Sequence, residues 1–500
     1  MKDLSTVESF GGIDADTDSL LARCFQDHEA YVDAIGHRRP FVIGRKGSGK
    51  TAIFKKIIGT RAHNIFTFGH TFADYPWHHH RLQELVGVPE EARYVQSWLY
   101  LILLTSAKIL LNQDQSQPWS ERSLEELRRL ENFVVDSYGS RDPDVTQLFT
   151  PSKRLRIRPH LKFAKDLFQA GLDLESLPME HLPRFIQEVN SNIAEAVIEC
   201  LNPEFDYYIC FDELDRGFDP KDASYRQVLI GLLLAAKQLN NRARAETRRL
   251  SVLVFLRDDI YELLRFEDKN KITENLVSQI EWDSSRKKWT LRELMEKRFA
   301  EVAGEGSAVS WAQIFDEGRE MPGRQTKYYH IRDRTFRRPR DIIKFCNEIL
   351  NAYKKRVSEG KFSNEDIVIA RDPYSEYLLH ELEDEVHKHL PQHERFLGVL
   401  RSIGTALFTR TDIENVCSRQ TDGKEPLRPV DVLQALFEFS VIGYQRTGGV
   451  GGGSEYVWKY LDTRARFDET ATNFRVHLGL IEAFNLKRWA RKEENGDLGE

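Results

Sequence analysis

The chain has 500 residues, 41% of them hydrophobic and 30% charged, and a formal net charge of −6 at pH 7. This length favours two to four domains over a single core, and the composition excludes a disordered chain. The small negative charge excludes a basic field over the whole molecule, so any contact with nucleic acid must be local.

Cysteine usage and hydropathy indicate the compartment. The sequence has no C-x-x-C pair and no apolar run near the roughly 20 residues of a membrane-spanning helix, and its first residues lack the apolar core of a signal peptide. The five cysteines are dispersed at Cys24, Cys200, Cys210, Cys346 and Cys417. We therefore expect a cytoplasmic protein with no zinc ribbon, no disulfides and no membrane partner.

The first predicted strand, Phe41 to Ile43, leads into a glycine-rich turn and then into helical spacing of apolar residues up to Ile58. The turn consists of Gly44, Arg45, Lys46, Gly47, Ser48, Gly49, Lys50 and Thr51. It satisfies G-x-x-x-x-G-K-[ST] between a strand and a helix, which is the context that this phosphate-binding motif, Walker A, requires. A glycine turn that matches by chance is the alternative interpretation.

Such a loop binds phosphate because its backbone N–H groups point inward and the helix N-terminus adds a favourable dipole. All eight residues of the turn are therefore candidate nucleotide ligands. We expect Lys50 to reach the β- and γ-phosphates and to take part in catalysis. The Thr51 hydroxyl is expected to bind Mg²⁺, an ion that prefers oxygen and takes few protein ligands.

A second strand is predicted at Asn64 to Phe68, and the pattern from Leu82 to Ile198 is mostly helical, which indicates a helical insertion. A basic cluster in this insertion could follow a nucleic-acid backbone, although a solvated linker is the simpler interpretation. Its members are Lys153, Arg154, Arg156, Arg158 and Lys162. The run His78 to His80 cannot turn three consecutive side chains to one metal ion, so we interpret it as the polar start of a helix.

The apolar strand Tyr207 to Phe211 ends in Asp212 and Glu213, at the kind of strand terminus where α/β proteins place ligand chemistry. This Walker B pattern predicts that Asp212 holds Mg²⁺ through water and that Glu213 activates the attacking water as general base. Two solvated carboxylates are the alternative. Glu213 favours turnover, because a scaffold without hydrolysis can dispense with that acid. Asp215 and Asp219 are interpreted as loop-capping acids.

Two arginines are further candidates. The predicted strand Ser251 to Leu256 ends at Arg257, whose planar and permanently charged group suits a catalytic contact with the γ-phosphate. Pairing of Arg257 with Asp258 or Asp259 is the alternative. Arg340 opens a later helix and could bind the nucleotide from a lid, whereas a solvent-facing helix start is the simpler alternative.

Strands that alternate with helices predict an α/β fold with a parallel sheet, and the strands disappear beyond about residue 290. We expect a P-loop NTPase core at 1–289 with the helical insertion at about 82–198, an α-helical lid at 290–392, a winged-helix domain at 393–490 and a charged tail at 491–500.

The winged-helix prediction rests on three helices followed by a hairpin with a glycine-rich tip. A DNA-reading helix needs basic and amide side chains near its start, but this one offers Arg428 together with Asp431. The hairpin adds only Arg446 and Lys459, which is little for phosphate neutralisation. DNA binding, docking of a protein and a purely structural role all stay open.

The order of these motifs resembles the AAA+ and STAND branch of P-loop ATPases. Asp212 to Asp215 match the Asp-Glu-x-Asp of origin-recognition-like initiators, and Arg340 matches their lid arginine. Arg257 instead matches STAND proteins and departs from the asparagine usual in initiators. Phe10-Gly11-Gly12 and the Walker A turn also resemble bacterial P-loop ATPases, some of which accompany mobile-element or phage-defence genes.

The resemblance covers about 10–90 and 204–354, and it implies ATP and Mg²⁺ as cofactors. It also implies self-association, because a neighbouring subunit often supplies an arginine finger. Nucleotide state would control assembly or conformation, on double-stranded DNA or with a protein effector in bacterial defence. The alternative is a STAND-like switch that holds ATP with little turnover and acts through a protein partner.

Overall fold

The structure of the chain is a computed structural model. It describes residues 3–71, 90–143, 182–216, 218–219, 222–284, 290–303, 308–356, 360–387, 389–390, 392–419, 426–446, 448 and 453–487. The histidines at 78–80, the basic cluster at 153–162 and the tail at 491–500 lie outside the described residues.

Strands and helices alternate in the first half of the described chain, and helices dominate most of the second half. The α-helices are α1 Leu21–Cys24, α2 Glu29–Ile35, α3 Lys50–Ile58, α4 Glu90–Asn112, α5 Glu121–Tyr138, α6 Leu182–Cys200, α7 Ala223–Ala245, α8 Asp258–Leu263, α9 Lys269–Leu276, α10 Leu291–Ala303, α11 Trp311–Ile314, α12 Lys327–Arg332, α13 Pro339–Lys355, α14 Asn364–Val386, α15 His393–Ile403, α16 Arg410–Arg419 and α17 Pro429–Glu438. The strands are β1 Phe41–Gly44, β2 Ile65–Thr71, β3 Asp206–Asp212, β4 Arg249–Arg257, β5 Val277–Gln279, β6 Leu407–Thr409, β7 Ile442–Arg446, β8 Glu455–Val457 and β9 Asn473–Val476. Short 3-10 helices lie at Leu4–Thr6 and Leu478–Leu480.

The chain divides into two compact units. The sheet unit is formed by Asp27–Ile280, and the helical unit combines Met1–Gln26 with Glu281–Glu500. The finer division into core, lid, winged helix and tail stays a prediction.

The sheet unit is built on a parallel sheet in the order β2-β3-β4-β1-β5. Its middle strands are buried almost along their whole length, which explains why their sequences are continuous apolar runs. The register pairs Gly44 at the end of β1 with Arg257 at the end of β4. The carboxyl ends of the parallel strands therefore form one edge, and the predicted parallel α/β sheet is confirmed.

The described part of the insertion consists of the helices α4, α5 and α6. Helix α4 packs along α7, where the indole N–H of Trp98 donates to the carbonyl of Val228 at 2.9 Å. The segment Tyr94–Asn112 of α4 is long and apolar enough to cross a membrane by length and composition alone, but 78% of its apolar window is buried inside the protein. Burial against neighbouring helices accounts for that apolar composition.

In the helical unit, the N-terminal segment packs against α10. The ring of Phe10 is fully buried, with centroid distances of 4.9 Å to Phe299 and 6.2 Å to Phe362. Close by, Arg298 of α10 donates to the Asp18 carboxylate at 2.6 Å, and both side chains are only 4% exposed. The Phe-Gly-Gly segment thus has a packing role within this unit.

The last described segment combines α15, α16 and α17 with an antiparallel sheet in the order β6-β9-β7-β8. The three helices and the β7–β8 hairpin were predicted from the sequence and are confirmed. Strands β6 and β9 were not predicted, because they have three and four residues and too few apolar positions to show a period. The assignment of this segment as a winged helix stays a prediction.

Candidate nucleotide-binding site

The glycine-rich turn joins β1 to α3 at the carboxyl edge of the parallel sheet. Gly47 and Gly49 have positive φ angles of 77° and 108°, which glycine adopts without the steric cost that a side chain would bring. Gly49 is also the N-cap of α3, so the first turn of that helix follows the loop directly. The backbone N–H groups at a helix start have no partner within the helix, and they can bind an anion.

A close approach fixes the first glycine of the loop. A Cβ atom on Gly44 would lie 2.6 Å from the Ser48 hydroxyl oxygen and 3.1 Å from Cβ of Ile280. The backbone N–H of Ser48 donates to the Arg45 carbonyl at 3.1 Å and closes the turn. The loop therefore owes its compact shape to its own residues and to the end of β5.

Lys50 is the first residue of α3, and its ammonium group folds back over the loop. It donates to the carbonyls of Gly44 at 2.8 Å and Arg45 at 3.0 Å. Burial lowers the pKa of Lys50, while the carboxylates of Asp215 and Asp212 raise it. The site thus gathers a lysine and acidic side chains around one glycine loop.

Asp212 is buried at the end of β3, with 2% of its surface exposed. Burial raises the pKa of Asp212 to about 6, and hydrogen bonds from the Glu213 backbone and the Thr51 side chain act in the opposite direction. The oxygen Oδ2 of Asp212 is buried and accepts no hydrogen bond within the described part of the chain. A buried, unsatisfied carboxylate oxygen next to a hydroxyl is a favourable place for a hard cation.

Glu213 follows Asp212 with a φ angle of 59°, in the left-handed region that residues with side chains rarely adopt. Its carboxylate accepts from the Arg216 guanidinium at 3.1 Å, and its side chain is 19% exposed. Strained backbone of this kind is concentrated at functional sites.

Arg257 ends β4, the strand that lies between β3 and β1. Its guanidinium makes two hydrogen bonds to Asp259, at 3.0 Å and 2.5 Å, and a longer contact of 3.4 Å to Asp215 of the loop after β3. The pairing with Asp259 that was the alternative interpretation is therefore present. Because β4 separates the two motif strands, Arg257 also lies between the glycine loop and the acidic loop.

Two acids contribute more to this site than their sequence context indicated. Asp215 contacts Arg257, and among the charged neighbours of Lys50 it does most to raise the pKa of that lysine. Asp258 is partly buried, and the loss of solvent around its carboxylate raises its pKa, whereas the charges of Arg45 and Lys50 lower it. The only sequence signal for this role is the density of acids directly after two neighbouring strands.

Arg340 belongs to the helical unit, where it lies in the first turn of α13. Its guanidinium donates to the Ile13 carbonyl at 3.1 Å and to Glu381 at 2.6 Å. Within that unit Arg340 joins α13 to α14 and to the N-terminal segment. Its contact with a nucleotide stays a prediction.

The basic residues suspected of binding DNA near the C-terminus all have acidic neighbours. Arg428 lies 3.6 Å from Asp431, and Lys459 lies 3.4 Å from Glu438. Arg446 pairs with Glu455 across the β7–β8 hairpin. The positive charge of each of these three residues is therefore offset by a neighbouring carboxylate.

One comparison with known proteins concerns a different part of the chain. Residues 289–383 match a family described as the FunZ-associated C-terminal helical domain. These residues include α10 to α13 and most of α14, so the match supports a helical module there. The match says nothing about the glycine loop or about β3.

The chain is also similar to an 80.3 kDa protein attributed to the transposon gamma-delta of Escherichia coli (strain K12), with 23% identity over 466 residues. The alignment includes 87% of this chain and 61% of that protein, so the chain spans less than two thirds of the length of its relative. The relative is a distant one, and its name refers to a mobile element.

Proposed function

We propose that this chain is a Mg²⁺-dependent P-loop nucleoside triphosphatase that hydrolyses ATP and whose nucleotide state controls assembly or conformation. The observation that carries the proposal is the position of Thr51 beside the buried Asp212 carboxylate, directly after a glycine loop at a helix N-terminus. This arrangement joins an anion-binding loop to a cation-binding pair of oxygens. A metal–triphosphate complex needs both.

The residues fit Mg²⁺ by their chemistry. The described residues contain no group of three or more His, Cys, Asp or Glu side chains arranged for a metal, so a site made of protein ligands alone is not supported there. Mg²⁺ usually takes one or two protein oxygens and completes its shell with water and phosphate oxygens. Thr51 would supply such an oxygen and Asp212 would hold the ion through a water molecule, and the bound ion would neutralise charge on the phosphates.

The chain's own groups divide the work as follows. Backbone N–H groups from Gly44 to Thr51 would orient the phosphates, and the Lys50 ammonium would exchange its carbonyl contacts for phosphate oxygens. Glu213 would hold the attacking water and accept its proton. Once its guanidinium has separated from Asp259, Arg257 would stabilise negative charge on the γ-phosphate.

The other elements of the proposal follow from the resemblance. ATP is preferred to GTP because no guanine-reading Asn-Lys-x-Asp stretch is present in the sequence. We propose a cytoplasmic homo-oligomer in which a neighbouring subunit adds an arginine, with double-stranded DNA or a protein effector as partner. The transposon-associated relative fits a role in mobile-element or defence biology.

A second candidate function is a STAND-like switch that holds ATP with little turnover and signals to a protein partner. Three ion pairs favour it. Glu213 is bound by Arg216, and Arg257 is bound by Asp259 and Asp215, so both proposed catalytic groups already have partners. In this alternative the pairs persist until a partner protein breaks them.

The test is phosphate release from ATP with Mg²⁺, with and without double-stranded DNA. We expect Lys50→Ala to abolish binding and turnover, and Glu213→Gln to keep ATP binding while turnover falls about 100-fold or more. Lys271→Ala and Glu204→Gln serve as controls, because both side chains are exposed and lie away from the loop. Arg216→Ala should raise turnover if the pair with Glu213 restrains the general base.

The outcomes separate the two candidates. Turnover that is lost in both site variants supports the ATPase, and stimulation by DNA identifies the partner. Tight ATP binding without turnover, lost only in Lys50→Ala, supports the switch. Normal turnover in Lys50→Ala and Glu213→Gln would contradict both.

A further inference from the structure

The edge of the parallel sheet opposite the glycine loop carries a group of arginines, here called the amino-edge surface. Its members lie at the ends of helices and strands of the sheet unit or in the loops beside them. They are Arg39, Arg61, Arg244, Arg248 and Arg249. The last three line one cleft of about 240 Å³ together with His37, Asn240 and Ser251. The cleft lies where β1 and β4 begin.

Four of these arginines have no carboxylate within 4 Å in the part of the chain that the structure describes. Arg39, Arg61 and Arg244 are exposed, and each uses one terminal nitrogen of its guanidinium to donate to main-chain carbonyls. A guanidinium has five N–H donors, so most of their capacity remains for a ligand. By contrast, Arg428, Arg446 and Lys459 of the C-terminal segment each have an acidic neighbour.

Arg248 is held in a fixed orientation inside the cleft. Its guanidinium lies 4.9 Å from the centre of the Trp119 ring, and its Nε atom is buried and makes no hydrogen bond to any described residue. A cation stacked on an aromatic face keeps its N–H edges available in the ring plane. Because the ring of Trp119 is covered by Arg248, this surface offers charge and not a platform for stacking bases.

The acids near the cleft do not cancel this charge. Asp206 is buried and accepts from Arg249 at 2.8 Å and from His37 at 2.8 Å, so its charge is already compensated by Arg249. Glu204 and Glu246 are exposed on neighbouring loops and form no ion pair with the four arginines. The surface therefore keeps a net positive charge although the whole chain is acidic.

Helix polarity gives a competing explanation for part of this cluster. Helix α7 ends at Ala245, and cations are favoured by the negative end of a helix dipole. This effect accounts for Arg244 but not for Arg39, which lies two residues before β1. A role in stability also predicts a different experimental result.

We propose that the amino-edge surface binds the phosphodiester backbone of double-stranded nucleic acid. The strand ends from β2 to β1 are separated by three spacings of about 4.8 Å, so the arginines extend over about 14 Å. This width corresponds to about four phosphate intervals along the axis of one duplex strand, at about 3.4 Å each. The surface is distinct from the proposed ATP site and its binding does not rest on ATP hydrolysis.

Binding is measured by fluorescence anisotropy on the full chain, without ATP, with a labelled duplex over a series of salt concentrations. The test variant is Arg61→Gln with Arg244→Gln, because both side chains are exposed and their removal leaves no cavity. The control is Arg122→Gln with Arg129→Gln, which removes the same charge from α5, where both arginines have acidic partners.

We expect the test variant to weaken binding about equally for two unrelated duplex sequences and to lower the slope of log affinity against log salt by about one per arginine. The control variant should bind like wild type, and thermal melting should be unchanged in both. Single-stranded DNA should bind more weakly than duplex.

Three results would overturn the proposal. One is unchanged duplex binding in the test variant, which would show that the duplex contacts another part of the chain, for example the C-terminal segment. Another is that inorganic phosphate or polyglutamate competes with the labelled duplex as effectively as unlabelled duplex does. The ligand of this surface would then be a small anion or an acidic protein. A third is a lower melting temperature with unchanged affinity, the result that a purely structural role predicts.

Discussion

At the scale of single residues, the backbone of Glu213 connects stability with function. The left-handed conformation of a residue with a side chain costs roughly 1–2 kcal/mol, and glycine avoids this cost. Glycine also has more conformational freedom in the unfolded chain, which lowers the free energy of unfolding by about 0.4–1 kcal/mol. We therefore expect Glu213→Gly to raise the free energy of unfolding by about 0.5–1 kcal/mol while turnover is lost.

The measurement is urea denaturation combined with an ATPase assay. Arg324→Gly is the matched control, because Arg324 has a φ angle of 56° in the helical unit and is outside the candidate site. It should stabilise the protein by a similar amount and leave turnover intact. A destabilised Glu213→Gly would show that contacts of its side chain outweigh the backbone strain.

His70 should make the sheet unit sensitive to acid. Burial lowers the pKa of His70 from 6.5 to about 3, where its ring stacks on Phe211 and its Nε2 lies 3.0 Å from the Thr105 hydroxyl. Between pH 6.5 and about pH 3 the folded state therefore binds fewer protons than the unfolded state. The contribution of His70 to the free energy of unfolding is complete above pH 6.5 and declines as the pH falls toward about 3.

From pH 7 to pH 5 this single group should remove about 2 kcal/mol from the free energy of unfolding. Denaturation of wild type and of His70→Gln at the two pH values checks this expectation. We expect His70→Gln to be less stable than wild type at pH 7. Between pH 7 and pH 5 its free energy of unfolding should fall by about 2 kcal/mol less than that of wild type. Equal dependence in both proteins would mean that His70 is protonated in the folded state.

The sequence identified Lys50, Thr51, Asp212 and Glu213 as one group, and the structure places them together. Each of these residues follows directly from a local rule about strand ends and glycine loops. The contact between Arg257 and Asp215 could not be derived in that way. It depends on β4 lying beside β3, which is a property of strand order and not of spacing along the chain.

At the scale of elements, the contact between α4 and α7 depends on a glycine. A Cβ atom on Gly231 would lie 2.5 Å from Cβ of Tyr94 and 2.9 Å from its carbonyl carbon, so the two helices would have to separate. Overpacking of this kind costs about 1–3 kcal/mol, which exceeds the roughly 1 kcal/mol that alanine gains over glycine in helix propensity. Gly231→Ala should therefore destabilise the protein.

Gly398 provides the opposite case, because it lies inside α15 and a Cβ atom added to it would have no neighbour within 4 Å among the described residues. Gly398→Ala should stabilise the protein by up to about 1 kcal/mol. Chemical denaturation of both variants compares one substitution in two settings. The same sign of change at both positions would contradict the close packing of α4 on α7.

Strands could be predicted from the sequence where all their residues are buried, and less well where only some of them are buried. The strands β1, β3 and β4 are continuous apolar runs, because both faces of the parallel sheet are covered. Strand β5 is shorter than the strand that the sequence from Leu276 to Trp282 indicates, since only three of its residues pair with β1. Tertiary pairing, and not local hydropathy, sets that boundary.

At the scale of the whole molecule, the helical unit is discontinuous in sequence, because its first 26 residues join residues from 281 onward. No periodic pattern reports such a connection, since it depends on contacts across nearly 300 positions. The buried ion pair between Asp18 and Arg298 is one of these contacts, at 2.6 Å. Asp18 also accepts from the backbone N–H of Gly12 at 3.1 Å, so it fixes the Phe-Gly-Gly segment as well.

This connection leads to a prediction about cooperativity. Asp18→Ala leaves the Arg298 guanidinium buried without its carboxylate, which should cost about 3–5 kcal/mol. Arg23→Ala is the control in the same segment, because Arg23 is 62% exposed and its pair with Glu301 should contribute at most about 1 kcal/mol. Hydrogen exchange followed by mass spectrometry should show faster exchange in 3–26 and 281–487 for Asp18→Ala only. If protection fell equally in 27–280, the two units would unfold as one, and the N-terminal segment would stabilise the entire chain and not the helical unit alone.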